Sequence, residues 1–416
     1  MNQRYFPIKQ DPACLLKWSQ VSLYLWENNS SSCHRNIGMK IPDDFDFNNT
    51  PITLEHRRKM LSGQWPSDGQ GCEHCRDQEA YGGVSDRLQH LNNEENQRYV
   101  PQELYSDATQ TRVKPTQLSV HFNNRCNLKC LYCGPNLSSS WVKENLKHDE
   151  NKDYGIDPWE LDATYKQRLE KFYSWMEENY SSLKAFDILG GEPFIQTECF
   201  DCIDWMIAHP NLECDVEIYS NLQVKPELFK RGMQKIRKLA STVREVIIVG
   251  SVDCYGPASE YIRHGHDWAT FEENWLYLLN ECPEVKPNMN WTVSTLSIPY
   301  TADLVKKVIE WKKVRYVSVN YNKCVDPDIF DPHIMPPGTY KKYFDELLEL
   351  NEKMYKEGNE GYKQYVRGIF NEIDASPAQP DKIQKLKDRL SLLDSRRSTD
   401  WRKTFPWLND ISSSNF

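Results

Sequence analysis

The sequence predicts an α/β fold: a partial (β/α)6 TIM-like barrel with a small N-terminal cysteine-bearing module and a helical C-terminal extension. From about residue 116, short β-rich runs alternate with helical patterns, which is typical of repeated β-α units around parallel strands. The 416 residues, 39% of them hydrophobic, are enough for one large domain and a smaller one. We expect domain boundaries at 1–110, 115–325 and 326–416.

Six β-rich runs support the barrel, at residues 116–122, 183–189, 215–220, 245–253, 291–298 and 314–321. In the segments between them, apolar residues recur at spacings of three and four, as in helices that pack against a sheet. Right-handed crossovers between parallel strands would then curl the strands into a barrel or partial barrel.

The segments on either side of the barrel have different patterns. Residues 1–110 are polar and Asn-rich, lack long periodic segments and carry a cysteine group of their own, so we expect a separate module. Residues 336–358 and 381–394 show amphipathic helix patterns, with the loop sequence SPAQP between them. The C-terminal region is therefore predicted to be helical.

Charge and targeting signals restrict the partners and the compartment. A net charge of -9 gives no overall basic field, which argues against avid binding to nucleic acid or to an anionic membrane. The N-terminus lacks the layout of a signal peptide, and no apolar run approaches the roughly 20 residues that span a bilayer. We expect a cytoplasmic protein, whose thirteen cysteines indicate metal ligation, redox chemistry or core packing instead of disulfides.

Three closely spaced cysteines follow the first β-rich run. In NNRCNLKCLYCGP, Cys126, Cys130 and Cys133 have the spacing C-x3-C-x2-C. Thiolates this close in a loop can converge on one face of an iron–sulfur cluster, whereas a tetrahedral zinc site would need a fourth ligand. Three ligands on a four-iron cluster leave one iron open to a small molecule.

This triplet, with the aromatic Tyr132 before its third cysteine, resembles the signature of the radical S-adenosylmethionine (SAM) superfamily. The resemblance implies that Cys126, Cys130 and Cys133 hold a 4Fe-4S cluster whose open iron binds SAM, and that Tyr132 lies near the adenine. It also implies that an electron, delivered by flavodoxin or ferredoxin, cleaves SAM to a 5'-deoxyadenosyl radical that abstracts hydrogen from a substrate. A zinc site or unliganded cysteines are the alternatives.

A Gly-Gly-Glu-Pro segment ends the second β-rich run, at Gly190, Gly191, Glu192 and Pro193. The two glycines let the backbone approach a ligand closely, and Glu192 offers an acceptor for an ammonium group. In radical SAM proteins such a segment contacts the amino group of SAM. An ordinary turn is the alternative.

Polar residues also follow the third and fourth runs. Ser220 and Asn221 are candidates to bond the ribose hydroxyls of SAM, while Ser251, Asp253 and Arg263 resemble the superfamily's carboxylate- and ribose-binding positions. Arg263 would bind the methionyl carboxylate through two charge-assisted hydrogen bonds from its guanidinium group. A surface arginine on a helix is the alternative. The motifs sit at the C-terminal ends of predicted strands, the face where α/β barrels build active sites.

A second cysteine group, Cys33, Cys72 and Cys75, precedes the barrel. A distant cysteine followed by a C-x2-C pair is typical of a metal site. The segment from Trp65 to Arg87 resembles the auxiliary-cluster segments of SPASM and twitch radical SAM proteins, although in those families the module normally follows the barrel. This resemblance implies an auxiliary iron–sulfur cluster.

Other interpretations of this group remain open at the level of sequence. A zinc site with His34 or His74 as an extra ligand is one, and the absence of any metal is another. The fourth iron ligand could be Cys14, Cys324 or a substrate bound to an open iron. A further C-x2-C, Cys199 and Cys202, is predicted to complete an apolar helix face.

The motifs together predict a radical SAM enzyme. Auxiliary clusters in the SPASM and twitch families commonly serve peptide and protein modification, so a peptide or protein is the expected substrate. Modification of a small molecule, nucleoside or tRNA is the alternative and would require a compact pocket or a basic rim. A non-catalytic iron–sulfur protein for electron transfer or sensing is the alternative of another class.

Overall fold

The computed structural model describes residues 5–36, 38–69, 71–80, 82–148, 163–354 and 360–411. The start of the predicted N-terminal module and the end of the predicted helix pattern 336–358 lie outside the described residues. The chain divides into two compact units: the first is Met1–Arg125, Asp153–Ile218 and Lys238–Val246, and the second is Cys126–Lys152, Tyr219–Arg237 and Ile247–Phe416. Their bounds differ from the domain boundaries expected from sequence, and the division into three functional modules stays a prediction.

Nine strands of the described chain form one sheet in the order β11-β10-β8-β7-β6-β4-β1-β2-β3, and β5 pairs with β9. The strands are β1 Gln20–Tyr24, β2 Asn29–Ser31, β3 Met39–Lys40, β4 Gln117–His121, β5 Lys129–Cys130, β6 Ala185–Leu189, β7 Asn211–Ser220, β8 Val243–Val252, β9 Arg263–His264, β10 Val285–Val293 and β11 Ser318–Lys323.

The central sheet is largely parallel. The pairs β1·β4, β4·β6, β6·β7 and β10·β11 are parallel, whereas β1·β2 and β2·β3 are antiparallel. Every one of the six β-rich runs overlaps a strand, so the mixed α/β class with parallel strands is confirmed. Closure of these strands into a TIM-like barrel stays a prediction.

Strand β10, which overlaps the fifth β-rich run, differs most from its predicted position. It begins at Val285 and ends at Val293, whereas the sequence predicted residues 291–298. The strand stops there because Ser294 to Ser297 form a turn, in which the amide of Ser294 donates to Oγ of Ser297 at 2.8 Å. Polar residues upstream of Trp291 concealed the first half of the strand from pattern analysis.

Helices fill the connections and the whole described C-terminal region. They are α1 Leu15–Ser19, α2 Pro51–Leu61, α3 Cys72–Ala80, α4 Asp86–Asn92, α5 Glu103–Ser106, α6 Ser139–Lys147, α7 Ala163–Asn179, α8 Thr197–Ala208, α9 Pro226–Leu239, α10 Pro257–Ile262, α11 Trp268–Glu281, α12 Thr301–Val314, α13 Lys341–Met354, α14 Glu360–Ala375, α15 Pro380–Arg397, α16 Trp401–Thr404 and α17 Pro406–Asn409. Helices α13 to α17 agree with the predicted helical extension.

Two groups of cysteines belong to apolar packing. Cys199 and Cys202 lie on the buried face of α8 with Ile203 and Met206, so their predicted core role is confirmed. In the N-terminal region, Cys14 and Cys72 belong to a hydrophobic cluster that also contains Trp18. The N-terminal residues thus build a core of their own, while β1 joins the sheet beside β4.

Among the described residues, no helix combines the length and the apolarity that crossing a bilayer requires.

Candidate active site

The cysteine triplet lies in the second unit, on a loop that a short strand pairing holds in place. Cys130 belongs to β5 and faces Arg263 of β9 in the antiparallel register. The amide of Leu131 donates to the carbonyl oxygen of Ile262 at 2.8 Å, and the amide of Cys133 donates to that of Cys130 at 3.0 Å. This pairing places the predicted carboxylate-binding arginine directly beside the second cysteine.

Helix α6 supports the same loop from its N-terminus. Ser138 caps the helix and donates from its hydroxyl to the carbonyl oxygen of Leu128 at 2.6 Å. Ser140 donates to the carbonyl oxygen of Cys126 at 2.7 Å, and the indole Nε1 of Trp141 donates to that of Cys130 at 2.9 Å. We did not predict these residues to be functional, although a run of serines before a helical pattern is a recognisable capping signal.

Three predicted SAM-binding residues form one hydrogen-bonded network. The hydroxyl of Tyr132 donates to the carboxylate of Asp253 at 2.9 Å, and Arg263 donates to that hydroxyl at 2.6 Å and to Asp253 at 3.3 Å. The side chains of Arg263 and Asp253 are 7% and 0% exposed. Trp291 donates from its indole to the backbone carbonyl of Asp253. Arg263 is therefore a buried, ion-paired residue, which excludes the surface-arginine alternative.

Burial and the charge of Arg263 shift the pKa values of ionisable groups in and beside the network. Burial raises the pKa of the Asp253 carboxyl, and the charge of Arg263 opposes this increase. Burial also raises the pKa of the Cys130 thiol, again opposed by Arg263, and raises that of Cys133 to about 12. Thiols with raised pKa values become thiolate ligands when a metal centre supplies positive charge.

Ser220 ends β7 and Asn221 follows it, and their side chains make different contacts. The amide nitrogen Nδ2 of Asn221 donates to Oδ1 of Asn127 at 2.9 Å and lies 3.9 Å from the sulfur of Cys126. Ser220 is buried, and its hydroxyl accepts from the amide of Leu222 at 3.0 Å. Asn221 thus joins the cysteine loop as expected, whereas this bond of Ser220 shapes the turn. Ser251 is partly exposed within β8.

The Gly-Gly-Glu-Pro segment lies in the first unit and requires both glycines. Gly190 and Gly191 have φ values of +85° and +50°, and a Cβ atom on Gly191 would lie 2.2 Å from the carbonyl oxygen of Arg125. That same oxygen accepts from the amide of Glu192 at 2.8 Å. The segment is therefore fastened to the residue that precedes Cys126 in the sequence.

The side chain of Glu192 has a structural contact in addition to its predicted role. It is 0% exposed, and Oε1 accepts from the amide of Phe194 at 3.1 Å. This bond caps the 3-10 helix Pro193–Ile195, in which Pro193 is the first residue. Gln196, which we did not predict, binds the carbonyl oxygen of Gly190 at 2.8 Å and that of Arg125 at 3.1 Å.

The structure brings the N-terminal cysteines together within the first unit. Cys33, Cys72 and Cys75 line one small cavity, and Cys14 lines it with them. The described lining contains neither Cys324 nor the two histidines of the zinc alternative. His34 instead pairs with Asp86 at 3.1 Å, and His74 is exposed.

Both cysteine groups supply thiol side chains, the ligand type that iron–sulfur clusters use. Within the described ranges, no three His, Cys, Asp or Glu side chains are arranged to hold a metal ion. In addition, Nε of Arg263 is buried and has no hydrogen-bond partner in the described part of the chain. A buried donor of this kind fits a bound carboxylate, such as that of SAM.

Comparisons with known proteins gave structural matches only. No protein-family model and no curated protein matches the chain. The structure of Streptococcus suis SuiB bound to precursor peptide SuiA is 17% identical, with coverage of 72% of this chain and 60% of that one and a TM-score of 0.38. A structure of TYW1 with a lysine-pyruvate adduct is 14% identical, with coverage of 55% and 69% and a TM-score of 0.29.

Because the identities and TM-scores are low, the interpretation of the chain rests on its own motifs and geometry.

Proposed function

We propose that the protein is a radical SAM enzyme that binds a 4Fe-4S cluster through Cys126, Cys130 and Cys133 and abstracts hydrogen from a peptide or protein. The observation that carries this proposal is the buried network of Tyr132, Asp253 and Arg263, because it is built on the cysteine loop itself. When bound, the cluster and SAM supply the one-electron cleavage that produces a 5'-deoxyadenosyl radical.

Arg263 has two roles in this proposal. Its charge lies beside Cys130 and Cys126 and favours their thiolate forms. Its buried Nε hydrogen offers a charge-assisted bond to the carboxylate of SAM. Asp253 and the hydroxyl of Tyr132 hold the guanidinium in one orientation, so the donor need not reorganise when SAM binds.

The remaining predicted contacts belong to the same proposal. Glu192, with Gly190 and Gly191, would meet the amino group of SAM, and Ser220 and Asn221 its ribose. The N–H of Asn221 near the sulfur of Cys126 would also adjust the reduction potential, since hydrogen bonds to cluster sulfurs do so. The strands that carry these motifs would form a partial (β/α)6 barrel.

The proposed substrate class depends on the N-terminal cysteines, and the proposed electron donor depends on the radical SAM reaction. Cys33, Cys72 and Cys75 would hold an auxiliary iron–sulfur cluster, which supports a peptide or protein substrate. Flavodoxin or ferredoxin would deliver the electron in the cytoplasm.

A comparison of two cysteine variants tests the reaction. Wild type, Cys130→Ala and the control Cys282→Ala, in which a buried cysteine outside both groups is replaced, are reconstituted anaerobically and given SAM and dithionite. We expect 5'-deoxyadenosine from wild type and Cys282→Ala, and none from Cys130→Ala. The same rate from Cys130→Ala as from wild type would refute the proposal.

The substrate class has its own test. The enzyme is incubated with deuterated cell extract that has been separated into protein, RNA and small-molecule fractions. Deuterium in 5'-deoxyadenosine after incubation with the protein fraction would support a peptide or protein substrate. Deuterium from the RNA or small-molecule fraction alone would support the alternative substrate class.

A further inference from the structure

Four cysteines, not three, meet in the N-terminal cavity. Cys72 begins helix α3 and Cys75 lies three residues later, so both thiols project from the same face of the helix. Cys33 follows β2, and Cys14 immediately precedes α1. Short elements from separate parts of the sequence thus converge on this cavity.

A buried cation lines the same cavity. Lys17 is 1% exposed, and its ammonium group contacts Oγ of Ser32 at 3.0 Å, Oδ1 of Asn36 at 2.5 Å and Nδ1 of His56 at 3.3 Å. The ring of His56 accepts at Nδ1, since its Nε2 faces the carboxylate of Asp68 at 2.6 Å. All three partners of Lys17 are therefore neutral acceptors.

The other two cations of the lining already have carboxylate partners. Nε of Arg35 donates to Asp86 at 2.6 Å, and Nε of Arg87 donates to Glu79 at 2.9 Å. Among the described residues, Lys17 forms no such ion pair with a carboxylate. A buried charge is costly unless an opposite charge compensates it. The cysteine cavity is the place where such a negative charge would lie.

We propose that Cys14 is the fourth thiolate ligand of an iron–sulfur cluster that is also held by Cys33, Cys72 and Cys75. Four thiolates on a 4Fe-4S core of charge about +2 give a net charge of about -2, which Lys17 partly neutralises. With four protein ligands the cluster has no open iron, so it does not bind substrate directly. This inference rests on the auxiliary cluster of the proposed function.

The test isolates the N-terminal site from the SAM site. The parent variant carries Cys126→Ala, Cys130→Ala and Cys133→Ala, and Cys14→Ala or Cys324→Ala is added to it. Cys324 is the matched control, because it is also a buried cysteine and was the competing ligand from the sequence. Iron, zinc and sulfide per chain are measured after anaerobic reconstitution, and spectra of the reduced cluster are recorded by electron paramagnetic resonance with and without cyanide.

We expect the parent and its Cys324→Ala derivative to hold about four irons and to give the same spectrum with and without cyanide. Cys14→Ala should lose the iron, or retain it with an altered spectrum that now responds to cyanide. Circular dichroism of each variant, together with Cys14→Ser, separates loss of a ligand from loss of the fold. A folded Cys14→Ser should likewise show reduced iron or a changed spectrum.

Three results would overturn the inference: a parent that holds zinc or no metal, a parent spectrum that shifts with cyanide, or a Cys14→Ala variant with unchanged iron and spectrum. None of them concerns the SAM cluster, because its ligands are absent from these variants. SAM cleavage is measured in parallel with wild-type protein, which keeps Cys126, Cys130 and Cys133. Its loss would contradict the proposed function separately.

Discussion

The guanidinium group of Arg397 stacks over the indole ring of Trp141, with its central carbon 4.6 Å from the ring centroid. The same indole donates to the carbonyl oxygen of Cys130. Nε of Arg397 lies 3.1 Å from both carboxylate oxygens of Glu144, which also pairs with Lys129. The last residue of α15 therefore supports the helix that holds the cysteine loop.

We expect Arg397→Ala to lower the free energy of unfolding by about 2–4 kcal/mol, because it removes both a cation–π contact and one partner of a buried carboxylate. Urea denaturation measures this change, and iron content measures its effect on the loop. Arg402→Ala is the control, since the exposed Arg402 also stacks over an indole ring, that of Trp401, at 4.5 Å. Equal effects of the two substitutions would contradict a specific role for Arg397.

Tyr132→Phe tests the network without disturbing the aromatic ring. The hydroxyl joins Asp253 to Arg263, so its loss leaves the guanidinium less firmly oriented. We expect SAM to bind about 10-fold more weakly, in line with the roughly 1–3 kcal/mol of a buried charge-assisted hydrogen bond, while iron content stays the same. Equilibrium binding of SAM to the reconstituted protein measures the effect. Tyr277→Phe, whose ring packs beside Lys230, is the control and should bind SAM as wild type does.

The parts of the candidate site that the sequence could indicate are local in the chain. The spacing of Cys126, Cys130 and Cys133 and the Gly190–Gly191 turn are encoded within a few residues, and so are the strands that precede them. The six β-rich runs overlap β4, β6, β7, β8, β10 and β11. The first half of β10, where polar residues interrupt the alternation, and the strands β1, β2 and β3 were not predicted.

Contacts between residues far apart in the chain could not be predicted in this way. Arg397 and Glu144 are 253 positions apart, and no spacing rule links them. The sequence left Cys14 as one of several candidates for a fourth ligand, and only the fold shows that it lines one cavity with Cys33, Cys72 and Cys75. Sequence patterns identify candidate residue types, whereas the tertiary fold determines which of these residues lie close together.

Gly191→Ala should disrupt the segment that follows β6. A Cβ atom would approach the carbonyl oxygen of Arg125 to 2.2 Å, and the positive φ adds strain, so we expect a loss of at least about 1–3 kcal/mol of stability. Gly368→Ala is the matched control within helix α14, where nothing lies within 4 Å. It should instead stabilise the protein by about 0.5–1 kcal/mol. Thermal unfolding of both variants measures these changes in stability. A Gly191→Ala variant as stable as wild type would show that the turn tolerates a side chain.

Asp187 gives the protein a pH-dependent stability. In the sheet it lies between Ser119 and Glu217 in register, and the hydroxyl of Ser119 donates to its carboxylate at 2.7 Å. Burial, followed by the negative charge of Glu217, raises the pKa of Asp187 to about 7. Between about pH 4 and 7 the folded state keeps a proton that the unfolded state has released. Stability therefore falls as the pH rises through this range, and the penalty is complete above it.

We expect Asp187→Asn to be more stable than wild type by about 1–3 kcal/mol at pH 8, because the amide removes the buried charge and still accepts from Ser119. The difference should shrink toward zero near pH 4, where the carboxyl is protonated in the folded protein and increasingly so in the unfolded chain. Urea denaturation of both proteins from pH 4 to 8 measures it, with Asp201→Asn at an exposed position as the control substitution. A difference that stays constant across this range would mean that Asp187 is ionised in the folded protein throughout.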